Sequence, residues 1–534
     1  MNIDKGVALL QSHLVREDGK IFVQVDADYD GYSSAATLLN YIYNICPSAI
    51  YKFNYRLHTS KIHGILPETI PDGTTLVIAP DASSNEYEIH KQLAEKGIDV
   101  LVLDHHQAEK VSEYACVINN QLCDYPNKTL SGVGIVYKFC QRIDELLGLR
   151  AAEDLLDMVA SGLIGDMMDI RNMETRYLIQ EGMRQIRNPF LKSMIDKNAY
   201  QLKNELTPIG IAFYIVPYVN AVTRVGTPEE KLVLFESMLE WKAYDLIPST
   251  KRGCKGQQET RVEQAIRTCT NVKNRQTKAR DNDIEIIEQI IADEGLLENK
   301  LLIIRLRELK VDRSIVGLMA NELMSKYKRP VAILSPTIHE GTLAWEGSAR
   351  GYEKSKMADF RQFIRDSGQA FLAEGHANAF GLGILDQDFD SFISQSNKKL
   401  ENIEFSPNYK VDFIYSANSP EAASTILTLG DMKHLWGQNI DEPLLALENI
   451  SVTKDMLTLM SRDKNPTLKI TLPNGISCIK FKSSEEEFES LYSENGCVTV
   501  NIVGKCEVNR YYSSVTPQLI ISDYEIINQQ DYYF

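Results

Sequence analysis

The sequence predicts an α/β protein in four parts: a parallel-sheet domain, a helical connector, a second α/β domain and a C-terminal β-barrel. Over the first 170 residues, short runs rich in Val, Ile and Leu alternate with helical patterns, which is typical of a parallel sheet covered on both faces. The pattern is then mainly helical to about residue 295, and strands and helices alternate again to about 390. After about 405 the helical signal thins, and short period-two runs predict a small barrel or sandwich.

The elements follow in chain order. In the first part, residues 1–205, buried strands are predicted at 21–25, 75–79 and 99–103. The connector, 206–295, is helical and contains a basic segment, 251–280, with nine Lys and Arg against two Glu. The third part, 296–400, has predicted strands at 300–305, 330–334 and 342–349 and a helix at 316–327. The fourth part, 401–534, has predicted strands at 467–472, 477–482, 498–504 and 517–522.

Composition excludes several classes of protein. The chain has 534 residues, 44% of them apolar and 24% charged, which excludes a disordered or fibrous protein. The net charge of −16 argues against a surface coated with phosphate-binding groups. Nine cysteines form no C-x-x-C pair, as expected for thiols in a reducing compartment. The charged N-terminus does not resemble a signal peptide, so we expect a cytoplasmic protein that does not enter a membrane.

Acidic and histidine side chains follow three of the predicted strands, at the point where each strand ends. The residues concerned, with one further acid in a Gly-Asp pair, are Asp26, Asp28, Asp30, Asp81, Asp104, His105, His106 and Asp166. Because ligands bind outside the carboxyl ends of parallel strands, these side chains are expected to meet at one edge. Carboxylates with imidazoles suit Mn²⁺ or Mg²⁺, and Zn²⁺ is less favoured because thiolates are absent.

Each piece has a simpler interpretation when it is taken alone. The first segment resembles a calcium loop, but that loop needs a Glu at its twelfth position, which is Thr37 here. Asp81 alone suits a helix N-cap, and adjacent histidines are often structural. Together at one sheet edge, the residues favour a dinuclear metal site.

The same residues resemble the four motifs of the DHH phosphoesterase superfamily, which takes its name from the Asp-His-His triplet. Residues 346–350 and 374–381 resemble the signatures of the DHH-associated domain, DHHA1, although Glu374 replaces a glycine. Residues 217–224 resemble the opening of the interdomain helix of RecJ-type exonucleases. Residues 435–443 resemble the segment before the nucleic-acid-binding OB fold of that family, with Gln438 in place of a glycine.

This resemblance implies a two-metal phosphodiesterase. It implies Asp28, Asp30, Asp81, His105 and Asp166 as direct ligands, with Asp81 as the bridging candidate. Asp26 is either a further ligand or a support. Asp104 is expected to orient His105, and His106 to face the scissile phosphate as a hydrogen-bond donor or acid.

The resemblance also implies a set of substrate-binding residues. Arg56, Ser348 and Arg350 are expected to clasp a 5′-phosphate, since guanidinium pairs with phosphate bidentately. Asn220 and Arg224 are expected to contact the strand near the metals, and His376 to lie across the cleft. In the OB fold, bases could stack on Tyr511 and Tyr512, with Lys505 and Arg510 on the backbone, although such tyrosines are more often core.

The predicted function is metal-dependent, 5′→3′ hydrolysis of single-stranded DNA to 5′-mononucleotides, with Mn²⁺ first and Mg²⁺ second as the ion. A single-strand-binding protein is a partner implied by the resemblance. One alternative is a DHH phosphodiesterase that acts on short RNA or dinucleotides, whose members typically lack the connector and the OB fold. Another is a noncatalytic scaffold resembling the DHH-type subunit of the eukaryotic replicative helicase. Its members have eroded metal motifs, whereas all four motifs here keep their acids and histidines.

Overall fold

The computed structural model describes residues 2–59, 62–203, 205–307, 311, 315–352, 355–357, 359–405, 407–460, 466–494, 496–511 and 514–531. The first part contains α1 Ile3–Val15, β1 Ile21–Val25, α2 Tyr29–Ile45, β2 Phe53–Leu57, β3 Leu76–Pro80, α3 Tyr87–Glu95, β4 Asp99–Asp104, β5 Cys116–Asn119, α4 Gly132–Leu147, α5 Leu156–Gly165, α6 Met173–Arg184 and α7 Pro189–Lys197. The connector contains α8 Pro208–Tyr214, α9 Val216–Val225, α10 Pro228–Ser237, β6 Leu246–Pro248, β7 Gln258–Thr260 and α11 Arg261–Asp293.

The third and fourth parts follow in the same order. The third contains β8 Leu302–Arg305, α12 Val316–Tyr327, β9 Val331–His339, β10 Thr342–Arg350, α13 Phe360–Arg365, β11 Ala370–His376, β12 Ala379–Leu385 and α14 Asp386–Lys399. The fourth contains β13 Phe413–Ser416, α15 Pro420–Gly430, β14 Leu444–Val452, β15 Leu457–Met460, β16 Thr467–Thr471, β17 Ser477–Phe481, α16 Glu485–Ser490, β18 Gly496–Tyr511 and β19 Ser514–Asp531.

The first sheet is parallel throughout and has the order β2-β1-β3-β4-β5. Every residue of β1 and β3 is buried, because successive side chains point to opposite faces and helices cover both. Val23 and Ile78 join the larger core, which includes α2, α4 and α5. Phe22 and Val77 join a smaller core on the other face, with Leu93 of α3. The chain reverses its direction across the sheet between β1 and β3, where ligands of such sheets bind.

The other two large sheets confirm an α/β third part and a β-rich fourth part. The third part has a five-stranded sheet in the order β11-β12-β10-β9-β8, and only the β8–β9 pair is parallel. The fourth has seven strands in the order β13-β14-β18-β19-β17-β16-β15, dominated by the long β18–β19 hairpin. Both parts have their own apolar cores.

The predicted central strands of the first sheet are confirmed, and several other strands were missed. β1 spans the predicted residues, and the observed β3 and β4 lie within one residue of the predicted ends. β2 was missed because its Phe-Asn-Tyr-Arg-Leu sequence alternates buried and solvent-facing residues at the sheet edge. β11 and β12 were missed because glycines interrupt their apolar pattern.

The connector packs against the first domain. A buried side-chain amide, Asn40 of α2, donates to the Met238 carbonyl over 2.9 Å and accepts from the Glu240 backbone N–H over 2.9 Å. Asn188 donates to the same carbonyl. By length and composition alone, the helical stretch Pro208–Val225 could cross a membrane, but half of it is buried inside the protein. α8 and α9 divide this stretch next to Ile215.

Replacing Asn40 by alanine tests this connection. The change leaves the Glu240 N–H buried without its acceptor, and we expect the free energy of unfolding to fall by roughly 1–3 kcal/mol. Denaturant unfolding followed by the fluorescence of nearby Trp241 measures the loss. Asn271→Ala, at an exposed position of α11, is the control and should stay within about 0.5 kcal/mol. Equal stability of the two variants would contradict the role given to Asn40.

Candidate metal centre

The first acidic segment leaves β1 and enters α2 within three residues. Asp28 is the N-cap of α2, and its carboxylate accepts from the Gly31 N–H over 3.1 Å. Asp30 is buried in the first turn and accepts hydrogen bonds from the start of α4: the Ser131 hydroxyl at 2.9 Å and the Gly132 N–H at 2.6 Å. The two helix N-termini therefore orient both carboxylates, as expected for anions at the positive end of the helix dipole.

Asp81 follows β3 in a strained conformation. Its φ is 69°, a region that non-glycine residues rarely adopt and that costs roughly 1–3 kcal/mol. Its backbone N–H donates to the Leu103 carbonyl of the neighbouring strand over 2.8 Å. Its carboxylate lies so close to Gly132 that a Cβ there would stand 2.3 Å from Oδ1. Asp81 therefore does not cap a helix. Its strained backbone conformation directs its carboxylate toward Gly132.

The Asp-His-His triplet continues β4. The Asp104 carboxylate is buried and accepts from the Nδ1 of His106 at 2.8 Å, from the His105 backbone N–H at 2.7 Å and from the Ser84 N–H at 3.0 Å. The side-chain partner of Asp104 is His106, and its bond to His105 is made through the backbone N–H. That Asp104 orients His105 stays a prediction, and this backbone bond supports it.

The structure brings the four motifs together. The Nε2 of His105 lies 3.3 Å from Asp81 Oδ1 and 3.4 Å from Asp166 Oδ2. Three groups have possible ligand atoms all within 4.8 Å of one another: Asp81, Asp104, His105 and His106; Asp30, His105 and Asp166; and Asp26, Asp28 and Asp81. Asp81 and His105 each belong to two groups. All eight predicted residues thus lie at one sheet edge.

The chemistry of this cluster fits divalent cations. Asp81 Oδ1 and Asp166 Oδ2 are buried, and neither has a hydrogen-bond partner among the described residues. Burial and the neighbouring carboxylates Asp30 and Asp28 raise the pKa of Asp81 well above its usual value and that of Asp166 to about 8. Such carboxylates resist ionisation because burial and like charges outweigh the positive charge of His106, which favours the ionised form of Asp166. A bound cation would favour the ionised forms further, and oxygen ligands with imidazole are suitable for Mn²⁺ and Mg²⁺.

The two histidines are held in different protonation states. Burial, with a contribution from His106, lowers the pKa of His105 to about 4, so its ring is neutral at pH 7 and able to bind a metal. The hydrogen bond to Asp104 raises the pKa of His106 to about 9. Burial opposes ionisation of Asp104, but its hydrogen bonds outweigh this effect and lower its pKa. His106 is therefore a cation, with its ring more than half exposed.

Two of the predicted substrate residues lie beside the cluster. Burial lowers the pKa of the Arg224 guanidinium, and the acid whose charge opposes this shift is Asp28. Burial, and then the charge of Arg224, lowers the pKa of Arg350. A Cβ on Gly317 would lie 2.5 Å from Nη2 of Arg350 and 3.6 Å from the Ser348 hydroxyl. The third domain thus places Arg350 and Ser348 at the start of α12, and the charge of Arg224, from the connector, acts on Arg350.

The other predicted substrate residues are Asn220, Arg56 and His376, and they have fewer contacts that relate them to the acidic cluster. Asn220 is one turn before Arg224 on α9, and its side-chain Oδ1 is buried without a partner among the described residues. Arg56 is exposed on the edge strand β2 and has no ion pair with any described residue. His376 is exposed at the end of β11, after Gly375, whose φ is 133°. No contact places Arg56 or His376 at the acidic cluster.

Four of the nine basic residues of the connector's basic segment form ion pairs. Arg261, Arg267, Arg275 and Arg280 of α11 all form ion pairs with acidic side chains. Lys273 is half-buried, and its ammonium donates to the neutral amide of Gln276 over 3.2 Å. In the fourth part, Lys505 pairs with Glu442, and Arg510 pairs with Asp431. Tyr512 and the side chain of Tyr511 lie outside the described residues.

Sequence reasoning missed residues that hold the acids in place. These are Ser131 and Gly132 around Asp30, Ser84 and Asn119 around the Asp-His-His triplet, and His58 and His63 around Asp26. The Ser-Gly-Val-Gly run at the start of α4 could have predicted this contact, because small residues at a helix N-terminus permit close approach to an anion. The histidines carried no such signal, since a loop brings them to Asp26 from a neighbouring strand.

Comparisons with known proteins agree with this geometry. Residues 20–163 match the family described as "DHH family, N-terminal domain", and residues 420–523 match the RecJ OB domain. A putative SPbeta prophage-derived single-strand DNA-specific exonuclease, YorK, of Bacillus subtilis is 38% identical over 98% of this chain and 90% of its own length. The chain belongs to the RecJ-type family of single-strand DNA-specific exonucleases.

Other RecJ proteins show how far the likeness extends. The RecJ exonuclease of Bacillus subtilis is 24% identical over 95% of this chain, which spans 62% of that protein. The crystal structure of RecJ in complex with Mn²⁺ from Thermus thermophilus matches 98% of this chain and 71% of that one, with a TM-score of 0.71 at 17% identity. The RecJ fold is therefore shared over nearly the whole chain, which confirms the predicted parallel-sheet domain and OB domain.

The raised pKa of Asp166 gives the metal-free RecJ-type centre a pH dependence. A carboxyl with a pKa of about 8 when folded and about 4 when unfolded binds its proton more tightly in the folded state. Its contribution to stability is complete below pH 4 and is lost as the pH rises through 8. We expect the melting temperature in chelator to fall by several degrees from pH 6 to pH 8.5, and Mn²⁺ to remove most of this fall.

Asp166→Asn is the matched variant for this measurement. Its side chain keeps its size and loses the titration, so its melting temperature in chelator should change less between the two pH values. Thermal melting followed by circular dichroism measures both proteins. An equally steep fall in the variant would show that the pH dependence arises elsewhere.

Proposed function

We propose that this chain is a metal-dependent exonuclease that degrades single-stranded DNA from 5′ to 3′ and releases 5′-mononucleotides. The single observation that carries the proposal is the meeting of four DHH motifs at one sheet edge, with orphaned buried oxygens on Asp81 and Asp166. The relative at 38% identity is named a single-strand DNA-specific exonuclease, and the matched domains include an OB fold.

We propose two divalent ions, with Mn²⁺ as the first choice and Mg²⁺ as the alternative. The proposed ligands are Asp28, Asp30, Asp81, His105 and Asp166, with Asp26 beside them. Asp81 and His105 each belong to two of the three ligand groups. Asp81 is the proposed bridging ligand because a carboxylate has two oxygens to share between ions, whereas Nε2 of a neutral imidazole can bind only one. When bound, such ions activate water and neutralise charge on the phosphoryl oxygens.

The protein's own residues orient the substrate and move the proton. His106 is the proposed hydrogen-bond donor or acid at the scissile phosphate, because Asp104 keeps its ring charged and its other nitrogen is free of that bond. Arg224 interacts with the charge of Asp28 and acts in turn on Arg350, and the two guanidiniums are proposed to hold phosphates of the strand. Fixing the phosphate beside the metals makes the attack effectively unimolecular.

The 5′ end is assigned to Ser348 and Arg350, with Arg56 as a third member of the clasp. Gly317 supports this proposal, since a Cβ there would lie 2.5 Å from Nη2 of Arg350 and would displace the end of that side chain. Asn220 is proposed to contact the strand beside Arg224. His376 is proposed to approach from the third domain, across the cleft. The OB domain is proposed to bind the remainder of the strand.

Four structural and functional domains follow from the same proposal: the DHH domain at 1–205, the connector at 206–295, DHHA1 at 296–400 and the OB fold at 401–534. The separate apolar core of the fourth part supports the last boundary, whereas Ile284, Ile287 and Ile291 at the end of α11 share a core with the third part. A cytoplasmic location is proposed. No disulfide joins any of the nine cysteines, all of which lie among the described residues. A single-strand-binding protein is the proposed partner.

Two substitutions test the reaction. Asp81→Ala removes the shared ligand, and His105→Ala removes the neutral imidazole, so each should lower the rate of hydrolysis by at least about 10³-fold, or roughly 4 kcal/mol in the barrier. The assay uses single-stranded DNA labelled at either end, with and without a 5′-phosphate, beside matched RNA and a dinucleotide, with Mn²⁺ present. Wild type should release mononucleotides stepwise from the 5′ end.

Folding and strand binding provide the controls. His434→Ala changes an exposed histidine of the OB domain and should hydrolyse DNA at the wild-type rate. Unchanged hydrolysis by Asp81→Ala would contradict the site. Hydrolysis by wild type of RNA or the dinucleotide alone would contradict the substrate, and strand binding without hydrolysis in any metal would contradict the activity.

A further inference from the structure

A histidine outside the DHH motifs contacts the first acid of the centre. His63 lies in the loop between β2 and β3, and its Nδ1 is 2.5 Å from Asp26 Oδ2. Asp26 is 2% exposed, whereas the side chain of His63 is 50% exposed. Because a carboxylate can only accept, the Nδ1 of His63 is the donor in this bond. The contact therefore links a surface loop directly to a buried acid of the metal centre.

The second oxygen of Asp26 is held from the same loop. The Gly64 N–H donates to Asp26 Oδ1 over 3.2 Å, and Nε2 of the buried His58 lies 3.8 Å from that oxygen. Asp26 also has a ligand atom within 4.8 Å of those of Asp28 and Asp81. Its carboxylate is thus restrained on one side by the loop and faces like charges on the other.

Other parts of the protein hold this loop in place. Lys231 of α10, which is 1% exposed, donates through Nζ to the Thr59 carbonyl over 2.9 Å and to the His58 carbonyl over 3.3 Å. Glu86 accepts from the Ile65 N–H over 2.9 Å. Anchors from the connector and from the segment before α3 therefore fix both ends of the short stretch that carries His63.

We propose that His63 is a positioning residue of the metal centre, which fixes the Asp26 carboxylate so that it supports cation binding beside Asp28 and Asp81. This inference rests on the proposed metal-dependent function. Without the donor at Nδ1, Asp26 is free to turn away from its acidic neighbours, and the cluster loses a preorganised negative charge. Losing a partner that orients a metal-binding side chain typically costs 10–100-fold in metal affinity.

The test compares three substitutions of His63. His63→Asn keeps an N–H donor close to the position of Nδ1, His63→Gln moves that donor by one bond, and His63→Leu removes it. Mn²⁺ affinity of the full-length protein is measured without DNA, by electron paramagnetic resonance of the free ion. His434→Leu, at an exposed OB-domain position, is the matched control, and melting in chelator checks that each variant folds.

We expect His63→Leu to bind Mn²⁺ 10–100-fold more weakly, His63→Asn to stay within about threefold of wild type, and His63→Gln to lie between them. At saturating Mn²⁺ the KM for DNA should not change. Wild-type affinity in His63→Leu would overturn the proposal. Equal weakening in the Leu and Asn variants would overturn it as well, because the donor at Nδ1 would then not be what matters.

The outcome is separable from that of the proposed function. If the wild-type protein bound Mn²⁺ but hydrolysed no DNA, the proposed function would fail, while the order of the His63 variants in metal affinity would still decide the role of His63. If the chain hydrolysed DNA and the His63 variants bound Mn²⁺ equally, the positioning role would fail alone. Should His63→Leu not fold, the comparison of Asn with Gln decides by itself.

Discussion

The structure depends on one electrostatic constraint, which is the crowding of buried carboxylates at the ends of β1, β3 and β4. Their mutual repulsion and burial raise the pKa values of Asp28, Asp81 and Asp166. A group of this kind is stable as a charged site only when cations enter it. Asp81 has a strained φ, and its carboxylate lies so close to Gly132 that a Cβ would not fit there. Both the backbone of Asp81 and the small residue beside it therefore help to place its carboxylate in the cluster.

Other parts of the chain hold or balance these carboxylates, first the neighbouring helices and loop and then the connector and third domain. Helices α2 and α4 direct backbone N–H groups at Asp28 and Asp30, and the loop after β2 restrains Asp26. The connector and the third domain add Arg224 and Arg350. Burial and then the charge of Arg224 lower the pKa of Arg350. An acidic metal cluster beside cationic side chains is suited to a substrate whose phosphates must be both neutralised and held. The net charge of −16 hides this local division of charge.

The sequence alone predicted the central strands, the helix at 316–327 and the meeting of eight acidic and histidine side chains at one sheet edge. These features could be predicted because buried strands have uninterrupted apolar runs and because strand ends in a parallel sheet converge. The edge strands β2 and β5 were not predicted. Polar residues interrupt the apolar pattern of β2, and β5 is only four residues long. The bond between the His106 ring and Asp104 was not predicted, because spacing cannot show which of two adjacent imidazoles contacts the acid. His63 could not be predicted, since its bond to Asp26 spans 37 residues.

The most direct test of the central claim is anomalous diffraction at the manganese edge from crystals grown with saturating Mn²⁺. Two peaks are expected among the clustered acids, both coordinated by Asp81, and both should be lost in Asp81→Ala. If neither protein showed a peak among these side chains, the buried carboxylates would be stabilised without cations, and the cluster would not be a metal centre.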